Sequence, residues 1–196
     1  LPPRLFVGLA VTSHDHSQLC VASFDQVRLG QPAVPPRTDA FVGTGDGLQG
    51  TYYSQKDFTG EVLRRIDATV AFDWVEGSPV PGMTRNHFAV RWEGELQPQF
   101  SEPYALHVVS DDRARLWLDG ELIVDEWHEH AESMSTAVVN VEAGRRYVVR
   151  LEYFENRGQA CAKLLWSSPS TAQQAIPKTQ LYSLITAPNY EAIKSR

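Results

Sequence analysis

The sequence predicts an all-β protein, an antiparallel β-sandwich, on three observations. From Leu48 onward short runs alternate apolar and polar residues with a period of two. Turn residues separate those runs, and no stretch of helix length carries a competing 3.6-residue apolar pattern. In Tyr104–Ser110 (YALHVVS) the alternation puts Tyr104, Leu106 and Val108 on one face and Ala105, His107 and Val109 on the other. RLWLDGELIVD reads as two strands joined by Asp119-Gly120, a dipeptide suited to the positive φ angles of a two-residue hairpin turn. TAVVNVEAGRRYVVRLEYF repeats the device, with a turn near Ala143-Gly144 and a core-facing row Tyr147, Val149, Leu151 and Tyr153 on the returning strand.

Ahead of this region, residues 1–30 contain two strand-like runs around a polar turn at SHDHSQ, and GQPAVPPRTDA then marks a Pro-rich linker over residues 31–44. So short a hairpin cannot bury a core alone and is expected to close a sandwich lying upstream. The sandwich proper is expected over residues 45–183, with a tail at 184–196. The chain lacks both an initial methionine and a charged-then-apolar leader, so it is expected to be a piece of a longer protein.

The formal charge of −6, from 18 Lys and Arg against 24 Asp and Glu, argues against a nucleic-acid face, which needs clustered cations. No run approaches the ~20 apolar residues of a membrane-spanning helix, so no membrane insertion is expected. Cys20 and Cys161 would lie in different structural units and are expected as free thiols.

Quoted in order, GLQGTYY, FDW, FAVRWEGEL, SDD, RLWLDGELIVDEWHEH, EAGRRYVVRLEYFENRGQA, LLWSSPS and IPKTQLY resemble the PA-fourteen family, named after the anthrax toxin protective antigen. The resemblance runs from about Gly47 to Tyr182 and implies a β-sandwich of antiparallel strands. Members accompany glycosidases, glycosyltransferases, adhesins and toxins, usually outside the cell, and several are calcium-dependent lectins. More weakly, residues 5–29 resemble the last strands of a concanavalin-like jelly roll.

The aspartate pair Asp111-Asp112 raises the central question. Neighbouring carboxylates on a regular strand point to opposite faces, so they can serve one cation only where the chain leaves the strand. The resemblance implies that it does: in lectin members the paired aspartates are joined by a cis peptide that turns both toward one calcium. Calcium takes six to eight oxygens, so a second loop must contribute. The resemblance places that loop at Glu155–Gln159 (ENRGQ), with Asn156 completing the metal site of Asp111 and Asp112. Glu155, Arg157, Gly158 and Gln159 would border a bound sugar, whose neighbouring hydroxyls would take the ion's open positions. Arg113 and Gln159 stand where members commonly carry small residues. The guanidinium of Arg113 could pair with a carboxylate and weaken the site, or reach the ligand. Read without the family, the pair is more simply the cap of a turn.

Other constellations are weaker. His128 and His130 in WHEH are a permissible start for a zinc site, but no further ligands match. The resemblance gives Trp127 and His130 a structural role. The HDH run at His14 to His16 is read as a polar turn. Core packing is expected of all five tryptophans, Trp74, Trp92, Trp117, Trp127 and Trp166. Glu152 and Glu155 carry no signal of a glycosidase pair, and no nucleophile motif is present. The expected function is therefore a non-catalytic, calcium-dependent carbohydrate-binding module of an extracellular multidomain protein. The rival is a structural or protein-interaction module that positions a neighbouring carbohydrate-active domain and has no ligand of its own.

Overall fold

A computed structural model describes residues 40–184. The N-terminal hairpin, most of the linker, Cys20, the HDH run and nearly all of the tail lie outside the described residues. The described chain is a two-sheet antiparallel sandwich. Its strands are β1 (Leu48–Tyr53), β2 (Glu61–Asp67), β3 (Ala71–Val75), β4 (Phe88–Leu96), β5 (Pro103–Asp111) and β6 (Arg113–Leu118). They continue with β7 (Glu121–Glu126), β8 (Ser133–Asn140), β9 (Tyr147–Glu155), β10 (Ala160–Ser168), β11 (Thr171–Ala175) and β12 (Leu181–Tyr182). The larger sheet runs β2-β1-β4-β9-β6-β7, with β12 extending the line of β1 along β4. The smaller runs β11-β10-β5-β8, with β3 also on β10.

Period-two alternation produces the core directly. Phe88, Val90, Trp92 and Leu96 of β4 and Tyr147, Val149, Leu151 and Tyr153 of β9 face Tyr104, Leu106 and Val108 of β5 and Leu164 and Trp166 of β10. Asp119 and Gly120 both take positive φ in the β6–β7 hairpin, 47° and 84°. Gly144 does so at 76° in the turn before β9. Two tryptophans depart from the expected burial. Trp92 and Trp166 are fully buried and Trp74 packs on the core, but Trp117 and Trp127 lie half-buried on the outer face of the larger sheet. The guanidinium of Arg150 covers Trp117 at 4.0 Å and that of Arg115 covers Trp127 at 4.5 Å. Trp117 is at an outward position of the β6 alternation and Trp127 follows the end of β7, and at both cation–π contact replaces core packing.

One buried acid locks β2, β1 and β4 together. Asp67 Oδ2 accepts hydrogen bonds from the Tyr52 hydroxyl (2.7 Å) and the Trp92 indole (2.8 Å), and its Oδ1 accepts from Arg65 Nε (2.6 Å). Arg65 Nη2 also donates to the Tyr52 oxygen, and its guanidinium stacks over the Tyr52 ring at 4.6 Å. Burial and the adjacent Asp67 carboxylate hold the Tyr52 hydroxyl protonated far above its ordinary range. Gly50 makes room for this network, since a Cβ there would collide with Asp67 Oδ2. Opposite ends of the domain are zipped beside it: Gly45 and Gly47 donate to the carbonyls of Thr179 and Leu181, and Asp46 caps Ser183.

Replacing Asp67 strands a buried hydroxyl, an indole N–H and a guanidinium. Asp67→Ala is expected to cost about 3 kcal/mol or more in urea denaturation, and Gly50→Ala should be destabilising by the same route.

Candidate functional site

The two sheets exchange strands twice at one end of the sandwich. β5 of the smaller sheet passes into β6 of the larger with only Asp112 between them, and β9 of the larger passes into β10 of the smaller through Asn156–Gln159. Because β5 pairs with β10 and β6 with β9, the two crossings lie side by side. Asp111 stands opposite Cys161, and Arg113 opposite Phe154. The Asp111–Asp112 peptide is cis.

This corner brings Asp111, Asp112 and Glu155 together, one carboxylate oxygen of each lying within 4.8 Å of the others. It is the one such group of possible metal ligands among the described residues. Glu155 extends the inward row of β9 and is 0% exposed. The Tyr153 hydroxyl contacts both the Asp111 carbonyl and Glu155 Oε2, the latter at 3.2 Å, whereas Glu155 Oε1 is buried with no partner. Burial, reinforced by the charges of Asp112 and Asp111, pushes the Glu155 carboxyl up to about 8. Protonated, Glu155 can donate to the Tyr153 oxygen while the phenol donates to the Asp111 carbonyl. Burial and the neighbouring Asp112 also raise Asp111, against the amide of Glu132 and the ring of His130.

Asn156 closes the corner by donating its backbone N–H to Asp112 Oδ2 (2.8 Å) and its side-chain Nδ2 to Glu129 Oε1 (3.0 Å). Arg113 is directed away from the aspartates: Nη2 meets Glu129 at 3.3 Å and its guanidinium lies 5.4 Å from the Phe154 ring centre. Above the carboxylates, Asp111, Asp112, Glu129, His130, Arg157 and Gln159 line a shallow open depression. Arg157, Gly158 and Gln159 are exposed at the loop tip, where Gly158 takes a φ of 110° that only glycine adopts readily.

The structure therefore gathers Asp111, Asp112 and Asn156 at one point and sets Arg157, Gly158 and Gln159 at the rim. Glu155 is not a rim residue. It lies beneath the aspartates as a third carboxylate, because it falls two residues beyond Tyr153 on the inward face of β9. That signal was available in the alternation of LEYFE. Glu129, which ties Arg113 to Asn156, had no signal in the sequence. His128 and His130 stack at 5.2 Å, and His130 Nδ1 hydrogen-bonds the Ala131 carbonyl and Ser133. Neither joins a ligand cluster among the described residues.

The fold and its acidic corner define an antiparallel β-sandwich domain with an open, carboxylate-lined depression at one end. Residues 45–180 match the PA14 domain, and the chain belongs to the PA14 domain family. It is 41% identical over 140 residues to the anti-sigma-I factor RsgI3 of Acetivibrio thermocellus, a match covering 71% of this chain and 22% of that protein. A solved anti-sigma factor domain-containing protein is similar at 39% identity with a TM-score of 0.69, covering 70% of this chain and 48% of that one. The fold also resembles a PA14 sugar-binding domain from an RTX adhesin, at 15% identity and a TM-score of 0.58, over 71% of this chain and 99% of that one. The chain thus spans about a fifth to a half of the anti-sigma proteins it matches.

A folded-state pKa raised to about 8 from 4.5 means that Glu155 stabilises the metal-free fold while protonated. The contribution is complete below the unfolded value and is lost as pH rises through the folded one. In chelator, unfolding free energy is expected to fall by on the order of 4 kcal/mol between pH 5 and pH 9, and Glu155→Gln should flatten that dependence in urea titrations.

Proposed function

We propose that this PA14 domain is a non-catalytic module that binds carbohydrate through calcium, within an extracellular multidomain protein. The observation that carries the reading is the convergence of Asp111, Asp112 and Glu155 beneath an open depression. The donor set is entirely hard oxygen, as suits calcium rather than zinc or copper. The buried, unpartnered Glu155 Oε1 is an acceptor that a cation would satisfy. Asp111, Asp112 and Glu155 would hold the ion, with the side-chain carbonyl of Asn156 as the neutral oxygen nearby. When bound, calcium supplies coordination positions on its solvent side that neighbouring hydroxyls of a sugar ring can take over from water.

Arg157 and Gln159 stand exposed at the rim, where their polar groups can hydrogen-bond hydroxyls and so set selectivity. An exposed, shallow site of this kind binds weakly alone and gains by repetition. The sugar-binding adhesin domain of the same fold supports this reading. The similarity to anti-sigma proteins, most of whose length lies outside the match, supports a module serving a larger protein rather than an enzyme in its own right. It also supports the rival reading, a spacer or interaction module that binds no sugar.

Calorimetric titration of calcium into chelator-stripped protein decides between them. Saturable binding is expected, lost in Asp112→Asn while the far-ultraviolet circular dichroism is retained. Because Glu155 must ionise to ligate, binding at pH 7 should release close to one proton, read as a dependence of the heat on buffer ionisation enthalpy. Wild-type protein that shows neither heat nor a calcium-dependent rise in Tm would leave the spacer as the better account.

A further inference from the structure

A second polar hollow lies at the same end of the sandwich. It is formed by Ser54 and Gln55, which follow β1, and by Thr84 to His87, which precede β4. Its neighbourhood to the acidic corner is fixed by register. Phe88, the residue after His87, pairs with Glu155, and Tyr53, the residue before Ser54, pairs with Ala89. The hollow is therefore displaced from the carboxylates by one to two strand spacings, roughly 5 to 10 Å. Lys56 Nζ of the same loop lies 5.6 Å from the ring centre of Phe154, the residue before Glu155 in β9.

The hollow is a built feature rather than a gap between loose loops. Val80 and Met83 anchor the 76–87 loop in the core, and the Ser78 hydroxyl bridges their carbonyls at 2.6 and 2.8 Å. Thr84 Oγ1 donates to the Asn86 carbonyl at 2.6 Å. His87 is held at a φ of 61°, a left-handed conformation unfavourable for a residue with a Cβ, between this turn and the buried Phe88. Within this frame Asn86 Oδ1 is buried with no hydrogen-bond partner, an acceptor that calls for a donor. The remaining lining is chiefly neutral amide and hydroxyl, and the charge of Arg85 is met by Glu76 at 3.5 Å. Groups that both donate and accept, without net charge, match the hydroxyls of a neutral sugar rather than an anion or an apolar ligand.

We infer that this hollow is a second saccharide subsite, in which Gln55 and Asn86 hydrogen-bond a sugar residue one or two units along a glycan whose first residue sits at the acidic corner. The inference rests on the carbohydrate-binding reading. It makes the module selective for chain length: an oligosaccharide spans both hollows, whereas a monosaccharide fills only one.

The test uses maltotetraose, cellotetraose, xylotetraose and a galactose tetrasaccharide, each with its matching monosaccharide, in calcium-containing buffer by calorimetry. At least one tetrasaccharide is expected to bind about tenfold or more tightly than its monosaccharide. Gln55→Ala and Asn86→Ala should each reduce that advantage while leaving the heat of calcium binding unchanged. Gln55 is exposed, so its substitution tests the subsite even where Asn86→Ala perturbs the loop. Equal affinity for tetrasaccharide and monosaccharide, an advantage that survives both substitutions, or intact calcium heat with no sugar bound would overturn the subsite and leave the ion site standing. Absence of calcium heat, or sugar binding that persists in Asp112→Asn, would instead overturn the calcium reading and the subsite with it.

Discussion

The geometry of the acidic corner depends on a constraint of topology: two strand pairs, one in each sheet, exchange partners at the same place. β5 and β10 are neighbours in the smaller sheet, and β6 and β9 are neighbours in the larger. The chain joins β5 to β6 and β9 to β10 at one end of the sandwich, so the two crossings are adjacent in space although more than forty residues separate them in sequence. A strand that continued in one sheet would send Asp111 and Asp112 to opposite faces. At the crossing the alternation is broken, and the two carboxylates share one corner with an acid from the neighbouring crossing. The site is thus a consequence of how the sandwich is wound.

Placing three carboxylates within 4.8 Å of one another in a partly buried corner is costly unless protons or a cation compensate. In the metal-free protein a proton on Glu155 does so, since burial beneath the aspartates pushes its carboxyl up to about 8. The contrast with Asp67 is instructive. Asp67 is also buried, but both of its oxygens are occupied by an indole, a phenol and a guanidinium, so its charge is absorbed by the fold. Glu155 has an oxygen left over. A fully satisfied acid reads as structural, and an acid with unfilled acceptor capacity beside two others reads as a place for a ligand.

Much of this could be read from the sequence because strand alternation is local. The inward rows of β5 and β9, the Asp119-Gly120 hairpin and the turn at Gly144 all follow from spacing and turn chemistry alone. The aspartate pair and the loop at 156–159 could be connected only through family resemblance, since no local pattern states that β5 and β10 are neighbours. Resemblance and residue type depart from the structure at three residues. The resemblance implies a rim position for Glu155, whereas the register of β9 sends it inward. Trp117 and Trp127, expected in the core, lie half-buried under the guanidiniums of Arg150 and Arg115. Glu155 shows the rule most directly, because it lies on the same inward row of β9 as Leu151 and Tyr153.

Arg113 shows how a residue that ought to interfere with the corner is kept from doing so. A guanidinium next in sequence to two aspartates would ordinarily pair with one of them and fill the position a cation needs. Its place as the first residue of β6 turns it outward beside Phe154, while the alternation carries Ala114 to the core. Glu129 then offers a carboxylate outside the cluster, and the same oxygen receives the side-chain amide of Asn156. One exposed glutamate therefore occupies the arginine and steadies the second crossing together. Arg113 therefore makes its ion pair with Glu129 rather than with the aspartates beside it in sequence, and that partner lies 18 positions from Asp111 on a loop whose side chains carry no regular pattern.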